Sequence, residues 1–305
     1  MKVTVTGATG NVGRPLVAAL REKGHEVTAL SRDADSGSRK LGSGVTVLEW
    51  PAPKEAPPPP EAIEGRDAVI HLLGEPIDQR WTDGVKRELR DSRVLSTRQV
   101  VEGLKAAEAR PGVLVSQSAS GYYGNRGDEE LTESSSAGDD FLADLVVEWE
   151  AEADKARDLN VRVVTTRTGV VLSREGGALE KMLPFFKLGI GGPVAGGGQY
   201  VPWVHLDDVT GSLVAVMQDE AASGPVNVSA PAPATNKELS KTLGRVLRRP
   251  ALAPVPGLAV KTLYGEMGHI VITGQRMLPK RLEELGYTFA QPELESALRS
   301  AIGAR

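Results

Sequence analysis

Three glycines in the spacing G-x-x-G-x-x-G, Gly7, Gly10 and Gly13, stand between a β-branched run and an apolar helical pattern. No other feature of the chain limits its fold as strongly. The run is Lys2-Val-Thr-Val-Thr6; the helical pattern falls on Val12, Leu16, Val17, Ala19 and Leu20 and stops at Lys23-Gly24, a glycine C-cap signal. Glu26-Val-Thr-Ala-Leu30 then reads as a second strand that ends at Ser31-Arg32. Strand, glycine turn, helix and strand in about thirty residues make one βαβ unit, with a turn suited to a dinucleotide. Gly7 permits the tight turn, Gly10 lets the backbone approach a pyrophosphate, and Gly13 lets the helix lie close to the sheet. The pyrophosphate would meet free N–H groups and the positive end of the helix dipole. The bland alternative is an ordinary glycine-rich βα turn.

The end of the second strand bears on which dinucleotide fits. An NAD site usually carries Asp or Glu there, to accept from the ribose hydroxyls. This chain carries Ser31-Arg32. A guanidinium suits a 2′-phosphate, with bidentate hydrogen bonds and stacking over adenine, and Ser31 can donate to the same phosphate. NADP(H) is therefore the expected cofactor ahead of NAD(H). Two other readings stay open: a solvated arginine, and Asp33 serving a ribose.

Composition excludes several classes of function. A chain of 305 residues can form one large α/β domain or a domain with an appendage. The net charge is −4 and no basic tract is dense, so no nucleic-acid partner is expected. The absence of cysteine rules out disulfides, Cys-ligated zinc and a thiol nucleophile. No run has the length of a membrane span and no signal peptide precedes Lys2, so the expectation is a cytoplasmic chain without a membrane partner.

The rest of the chain alternates. Residues 33–40 read as a polar, mobile loop and Val45-Thr-Val-Leu48 as a third strand. Four consecutive prolines at 57–60 form a stiff connector or, on a sharper reading, a ligand for a proline-recognition module. Residues 66–73 make a buried fourth strand running into Gly74-Glu75-Pro76, which should face the cofactor. Residues 81–109 read as helices containing Asp91-Ser92-Arg93. A fifth strand at 112–116 leads into Ser118, Ser120, Tyr122 and Tyr123, a candidate acid/base cluster. A helix at 141–158 and a sixth strand, Arg162-Val-Val-Thr-Thr-Arg167, follow. The alternation specifies an α/β fold with a doubly wound parallel sheet.

Residues 1–172 are expected to form this cofactor domain, and 173–305 a smaller C-terminal α/β substrate lobe that shares elements with it, with 249–305 as a distinct tail. Tyr200, Trp203 and His205 are candidates to line the substrate cleft. His205 with Asp207 and Asp208 could also be read as metal ligands or a base. A capped, hydrogen-bonded turn is the reading adopted, and no metal site is assigned. Thr235-Asn-Lys-Glu238 is a capping box that opens a helix.

Taken together, Thr6-Gly-Ala-Thr-Gly-Asn-Val-Gly13, Ser31-Arg32, His71-Leu-Leu-Gly-Glu75 and Tyr122-Tyr-Gly124 make the chain resemble the extended short-chain dehydrogenase/reductases, the group containing sugar-nucleotide epimerases. More narrowly, Gly169-Val-Val-Leu172, Gly176-Gly-Ala-Leu179, Leu188-Gly-Ile-Gly-Gly-Pro193, Trp203-Val-His205 and Gly224-Pro-Val-Asn227 resemble the atypical NAD-dependent epimerase/dehydratase-like members with a C-terminal domain of unknown function. The resemblance implies a Rossmann-type fold and NADP(H). By position it implies that Gly7, Thr9, Gly10, Asn11, Val12, Gly13, Ser31 and Arg32 hold the phosphates and adenosine. Leu72, Leu73 and Glu75 would line the ribose and pyrophosphate side, Arg93 would lie near the cofactor, and Thr168, Gly169 and Val170 beside the nicotinamide.

The superfamily's catalytic Tyr–Lys pair is missing. Its positions fall on Leu142 and Val146, which cannot transfer a proton. Either Tyr122 or Tyr123, with Ser118, handles the proton, or the protein binds cofactor with little turnover. Two functions follow: an NADP(H)-dependent oxidoreductase or epimerase acting on a small polar substrate such as a nucleotide sugar, or a non-catalytic NADP(H)-binding sensor or interaction protein. A homodimer is an open option.

Overall fold

The computed structural model describes residues 1–303; the last two residues of the expected C-terminal lobe lie outside the described residues. Seven parallel strands form the central sheet: β1 (Lys2–Thr6), β2 (Glu26–Ser31), β3 (Thr46–Glu49), β4 (Ala68–His71), β5 (Val113–Ala119), β6 (Arg162–Thr168) and β7 (Gly224–Val228). Their spatial order is β3-β2-β1-β4-β5-β6-β7. Chain order reverses between β1 and β4, so the carboxyl ends of these two strands flank the crevice where doubly wound sheets bind ligands. Val3, Val5, Ala68, Val69, Ile70, Leu114 and Val115 are sealed from solvent, as expected of strands covered on both faces.

The covering layers come from helices with one apolar stripe each. Helices α1 (Gly13–Glu22) and α6 (Leu206–Gln218) pack one face through Leu16, Val17, Leu20, Leu213, Val214 and Met217. Helix α3 (Asp83–Ala106) covers the other with Val100, Val101 and Leu104, and α4 (Phe141–Asp154) lies beside it. Pro58 of the tetraproline stretch is buried against Gly103 of α3, where an added Cβ would lie 3.0 Å from its ring. That contact favours the spacer reading.

Three local expectations are corrected. Residues 33–40 are not a mobile loop: Ala34–Leu41 is helix α2, capped by the Asp33 carboxylate, which accepts from Ser36 N at 2.8 Å. Gly37 allows the close fit, because a Cβ there would stand 2.9 Å from Ser31 and Val47. Strand β5 runs on to Ala119, which takes Ser118 into the sheet. Residues 81–109 hold a single long helix, α3, in place of several.

In the C-terminal half, α5 (Gly177–Lys187), α7 (Asn236–Leu247) and Leu294–Ile302 share a core around Leu179, Phe186, Trp203, Leu243 and Leu298. The capping box of α7 is present in both directions. Two short ladders outside the seven-stranded sheet join N- and C-terminal segments: Val170–Leu172 pairs with Trp203–His205, and Arg276–Met277 with Glu130–Leu131. Strand β7 itself joins β6, so the two halves share one sheet.

Candidate functional site

The glycine turn meets the requirements of a pyrophosphate cradle. Gly7 has φ +65°, and a Cβ there would stand 2.9 Å from the Leu72 carbonyl. At Gly13 a Cβ would lie 2.2 Å from Gly7 O, so only glycine lets α1 start this close to the strand. Helix α1 has no side-chain cap and no acid in its first turn. Among the described residues the N–H groups of Asn11 and Val12 find no protein acceptor. Thr9, Gly10, Asn11 and Val12 remain accessible. A helix N-terminus left in this state suits an anion.

At the end of β2, Ser31 Oγ donates to Asp33 O at 2.7 Å, and the Asp33 carboxylate is committed to α2. Arg32 is exposed, and its guanidinium engages no partner among the described residues. The acid that could have served a ribose is thus turned into the helix, and the cation is left free. This donor set suits a 2′-phosphate.

Beyond β4, Leu72 and Leu73 are half-buried and lead into Glu75. Arg93 donates to the carbonyls of Leu89 at 3.0 Å and Glu75 at 2.8 Å, and lies 5.4 Å from the Trp149 ring centroid. Burial pulls its pKa down to about 10. Arg93 therefore pins the loop after β4, and Lys181 ties α5 to the same loop through Asp78 Oδ2 at 2.6 Å. Fully buried His71 sits between Thr6 Oγ1 (2.8 Å from Nδ1) and Ser96 Oγ (3.3 Å from Nε2). Leu72 N donates to Thr6 Oγ1 and Ser96 Oγ donates to Ser92 O, so the arrangement that satisfies every group protonates Nε2. Burial pulls the His71 pKa down to about 3.

The hydroxyl cluster is sorted by burial. Ser118 is 1% exposed and donates to Glu150 Oε1 at 2.5 Å. Tyr123 is sealed; its hydroxyl donates to Asn227 Oδ1 at 2.6 Å, and burial raises its pKa to about 12 against the pull of Arg167. Direct proton exchange with a substrate does not fit either placement. Tyr122, on the 3₁₀ turn Ser120–Tyr123, is half-buried, and its hydroxyl is uncommitted among the described residues. Leu142 and Val146 carry no polar group, and Val146 packs with Leu89, Val94 and Trp149.

Two residues missed in the sequence bind this cluster together. Arg167 grips Glu150 with a two-point fork, 2.8 Å on each side, and donates to Tyr123 OH at 3.1 Å. Its Cζ lies 3.4 Å from the Tyr122 ring centroid. The available signal was a charged residue inside an otherwise apolar and threonine-rich strand.

Thr168, Gly169 and Val170 lie beside this turn, since Ala119 pairs with Thr168. Gly169 is obligatory: Pro202 O occupies the place of its Cβ, 1.9 Å away. The three candidate substrate residues are not brought together. Trp203 is a core residue, 1% exposed, with Nε1 donating to Ala232 O, which corrects its expected place in the cleft. Tyr200 sits under Arg276, whose Cζ is 5.3 Å from the ring centroid. His205 is buried and caps α6 by accepting from Asp207 N at 3.1 Å; burial lowers its pKa, against Asp207 and Asp208. It borders a cavity of about 510 Å³ with Asn11, Arg14 and Ser173. Asp208 accepts from Tyr287 OH, Ala290 N and Gln291 N, the expected hydrogen-bonded turn.

Comparison with known proteins agrees with this geometry. Residues 3–229 match the NAD dependent epimerase/dehydratase family, and residues 255–301 match a domain of unknown function, DUF1731. The chain is 40% identical over 306 residues to the chloroplastic epimerase family protein SDR39U1 homolog of Arabidopsis thaliana, covering 98% of this chain and 86% of that one. A crystal structure of the human epimerase family protein SDR39U1 with NADPH is similar at a TM-score of 0.88, 34% identity and 99% coverage of both chains. A structure described as a nucleoside-diphosphate sugar epimerase, from Corynebacterium glutamicum, is similar at a TM-score of 0.77 and 33% identity, covering 99% of this chain and 58% of that one. With its Rossmann-type sheet, its glycine cradle and a match that runs from β1 to β7, this chain belongs to the NAD dependent epimerase/dehydratase family.

Proposed function

We propose that this chain is an NADP(H)-dependent oxidoreductase or epimerase acting on a small polar substrate, with nucleotide sugars as the first class to test. The observation that carries the cofactor is the split at the end of β2: Asp33 is spent on capping α2, and Arg32 engages no partner among the described residues. The NADPH bound to the human relative supports the same reading. Gly7, Gly10, Gly13 and the open start of α1 would hold the pyrophosphate, Ser31 and Arg32 the 2′-phosphate, and Thr168, Gly169 and Val170 would flank the nicotinamide. When bound, the dinucleotide supplies or accepts a hydride.

Of the three hydroxyls expected to act, Tyr122 is the one this reading retains for proton transfer to a substrate oxygen. Ser118 and Tyr123 support it from the buried side. The name of the Corynebacterium relative is the ground for beginning with nucleotide sugars. The test is a panel of such sugars and small carbonyl compounds, followed by NADPH absorbance. A substrate-dependent change that falls at least about tenfold in Tyr122→Phe supports the proposal; turnover unaltered in that variant removes Tyr122 from it.

A second reading has its own observation. Leu142 and Val146 leave the Tyr–Lys positions without a proton donor, which suits a protein that binds NADP(H) and signals its presence. Turnover of any panel member would exclude it.

A further inference from the structure

A buried ion pair lies beneath the tyrosine turn. Arg167 is 4% exposed at its side chain and Glu150 12%, and they meet through two parallel bonds of 2.8 Å. Taking two such charges out of water is costly, and apolar residues of the same volume would often stabilise a core as well. The fork leaves the guanidinium no rotational freedom, because Nη1 is held in turn by Tyr123 OH and the Glu133 carbonyl. What remains is its flat face. That face lies against the ring of Tyr122, with Cζ 3.4 Å from the centroid, while Tyr123 stands edge-on to Tyr122 at 5.2 Å and 83°. A planar, delocalised cation stacks on an aromatic face in a way that an ammonium cannot.

We propose that Arg167 is the positioning residue of Tyr122: Glu150 clamps the guanidinium, and the guanidinium plane sets the tilt of the Tyr122 ring and hence where its hydroxyl is presented. The inference rests on the reading of Tyr122 as the proton-transfer group. Leu142 and Val146, at the Tyr–Lys positions, carry no polar group that could hold Tyr122 instead. Arg167 acts through Tyr122 and touches no substrate. Ser118, by donating to Glu150 Oε1, completes the clamp from β5.

The full-length protein, labelled with fluorotyrosine at its five tyrosines, tests this by fluorine NMR, with Tyr122→Phe assigning the Tyr122 line. Arg167→Lys keeps the charge but has no plane to stack, so the Tyr122 line is expected to move toward that of free fluorotyrosine. The Tyr287 line, held by Asp208 elsewhere in the fold, should stay in place. In Arg167→Ala, added methylguanidinium should restore the Tyr122 line. An unchanged Tyr122 line in folded Arg167→Lys overturns the proposal.

Should both Arg167 variants lose the Tyr287 line, Glu150→Gln carries the test, since it loosens the clamp and leaves the arginine. The Tyr122 line then broadens if the clamp sets the ring, and an unchanged line overturns the proposal. With a substrate in hand, Arg167→Lys should lower kcat by about a hundredfold with KM little altered, the pattern of a misaligned group. Normal turnover in Tyr122→Phe would instead sink the catalytic reading and leave the NMR result standing.

Discussion

The fold fixes the state of two single side chains, His71 at the end of β4 and Asp33 just after β2. His71 is held neutral in the fold, with a pKa of about 3 against an ordinary value of 6.5. Unfolding lets it bind a proton, so its contribution is complete above pH 6.5 and drains away as pH falls from 6.5 toward 3. Between pH 7.5 and pH 5 this one group should cost about 2 kcal/mol of stability. Urea midpoints at the two pH values should show that loss in the wild type and a clearly smaller one in His71→Gln. The remainder in the variant comes partly from His205, whose lowered pKa has the same sign. An unchanged pH dependence in the variant would contradict the assignment.

Residue identities were legible where backbone chemistry dictates them. Gly7 and Gly13 announced their roles, because no side chain fits those positions. Trp203 is ambiguous in the sequence because an aromatic two places from a histidine reads equally well as cleft or core, and only packing around Leu172 and Ala230 decides. Arg167 and Glu150 were invisible as a pair, since nothing in the sequence brings a strand residue to a helix residue seventeen positions earlier.

At the scale of elements, α2 is the instructive miss. Its sequence, Ala-Asp-Ser-Gly-Ser-Arg-Lys-Leu, has only Ala34 and Leu41 as apolar residues, and a mid-helix glycine argues against helix formation. The Asp33 cap and the close seat of Gly37 on Ser31 and Val47 override that tendency. Asp33→Ala should destabilise the protein by about 1 kcal/mol, the usual cost of a lost N-cap. It should leave the preference for NADPH over NADH intact, because the carboxylate is bound to the helix. A variant that instead gains or loses ribose recognition would show that Asp33 serves the cofactor. Gly169→Ala meets the Pro202 carbonyl and should fail to fold or lose many degrees of Tm, measurable by thermal scanning.

For the whole molecule, the alternation of strands and helices in the sequence was enough to specify the sheet, because every parallel strand must be fed by a crossover. The packing of the second lobe was less legible. Apart from β7, its strands are two or three residues long, and its ladders join distant segments, such as Arg276–Met277 with Glu130–Leu131. Because both halves share the sheet, a ligand at the switch point should stabilise them as one unit. Saturating NADPH, at about a hundred times Kd, should add about 2.7 kcal/mol and raise Tm in a single transition. Two separated transitions would contradict that coupling.

In the reading proposed above, the glycine turn seats a diphosphate while Arg32 reads the additional phosphate on the adenosine. Isothermal titration calorimetry of the wild type and Arg32→Ala, each with NADPH and with NADH, tests it most directly. NADPH should bind the wild type at least about tenfold more tightly than NADH, and Arg32→Ala should remove most of this difference, a change of about 1.4 kcal/mol or more. No heat with either cofactor, or tighter binding of NADH by the wild type, would contradict it.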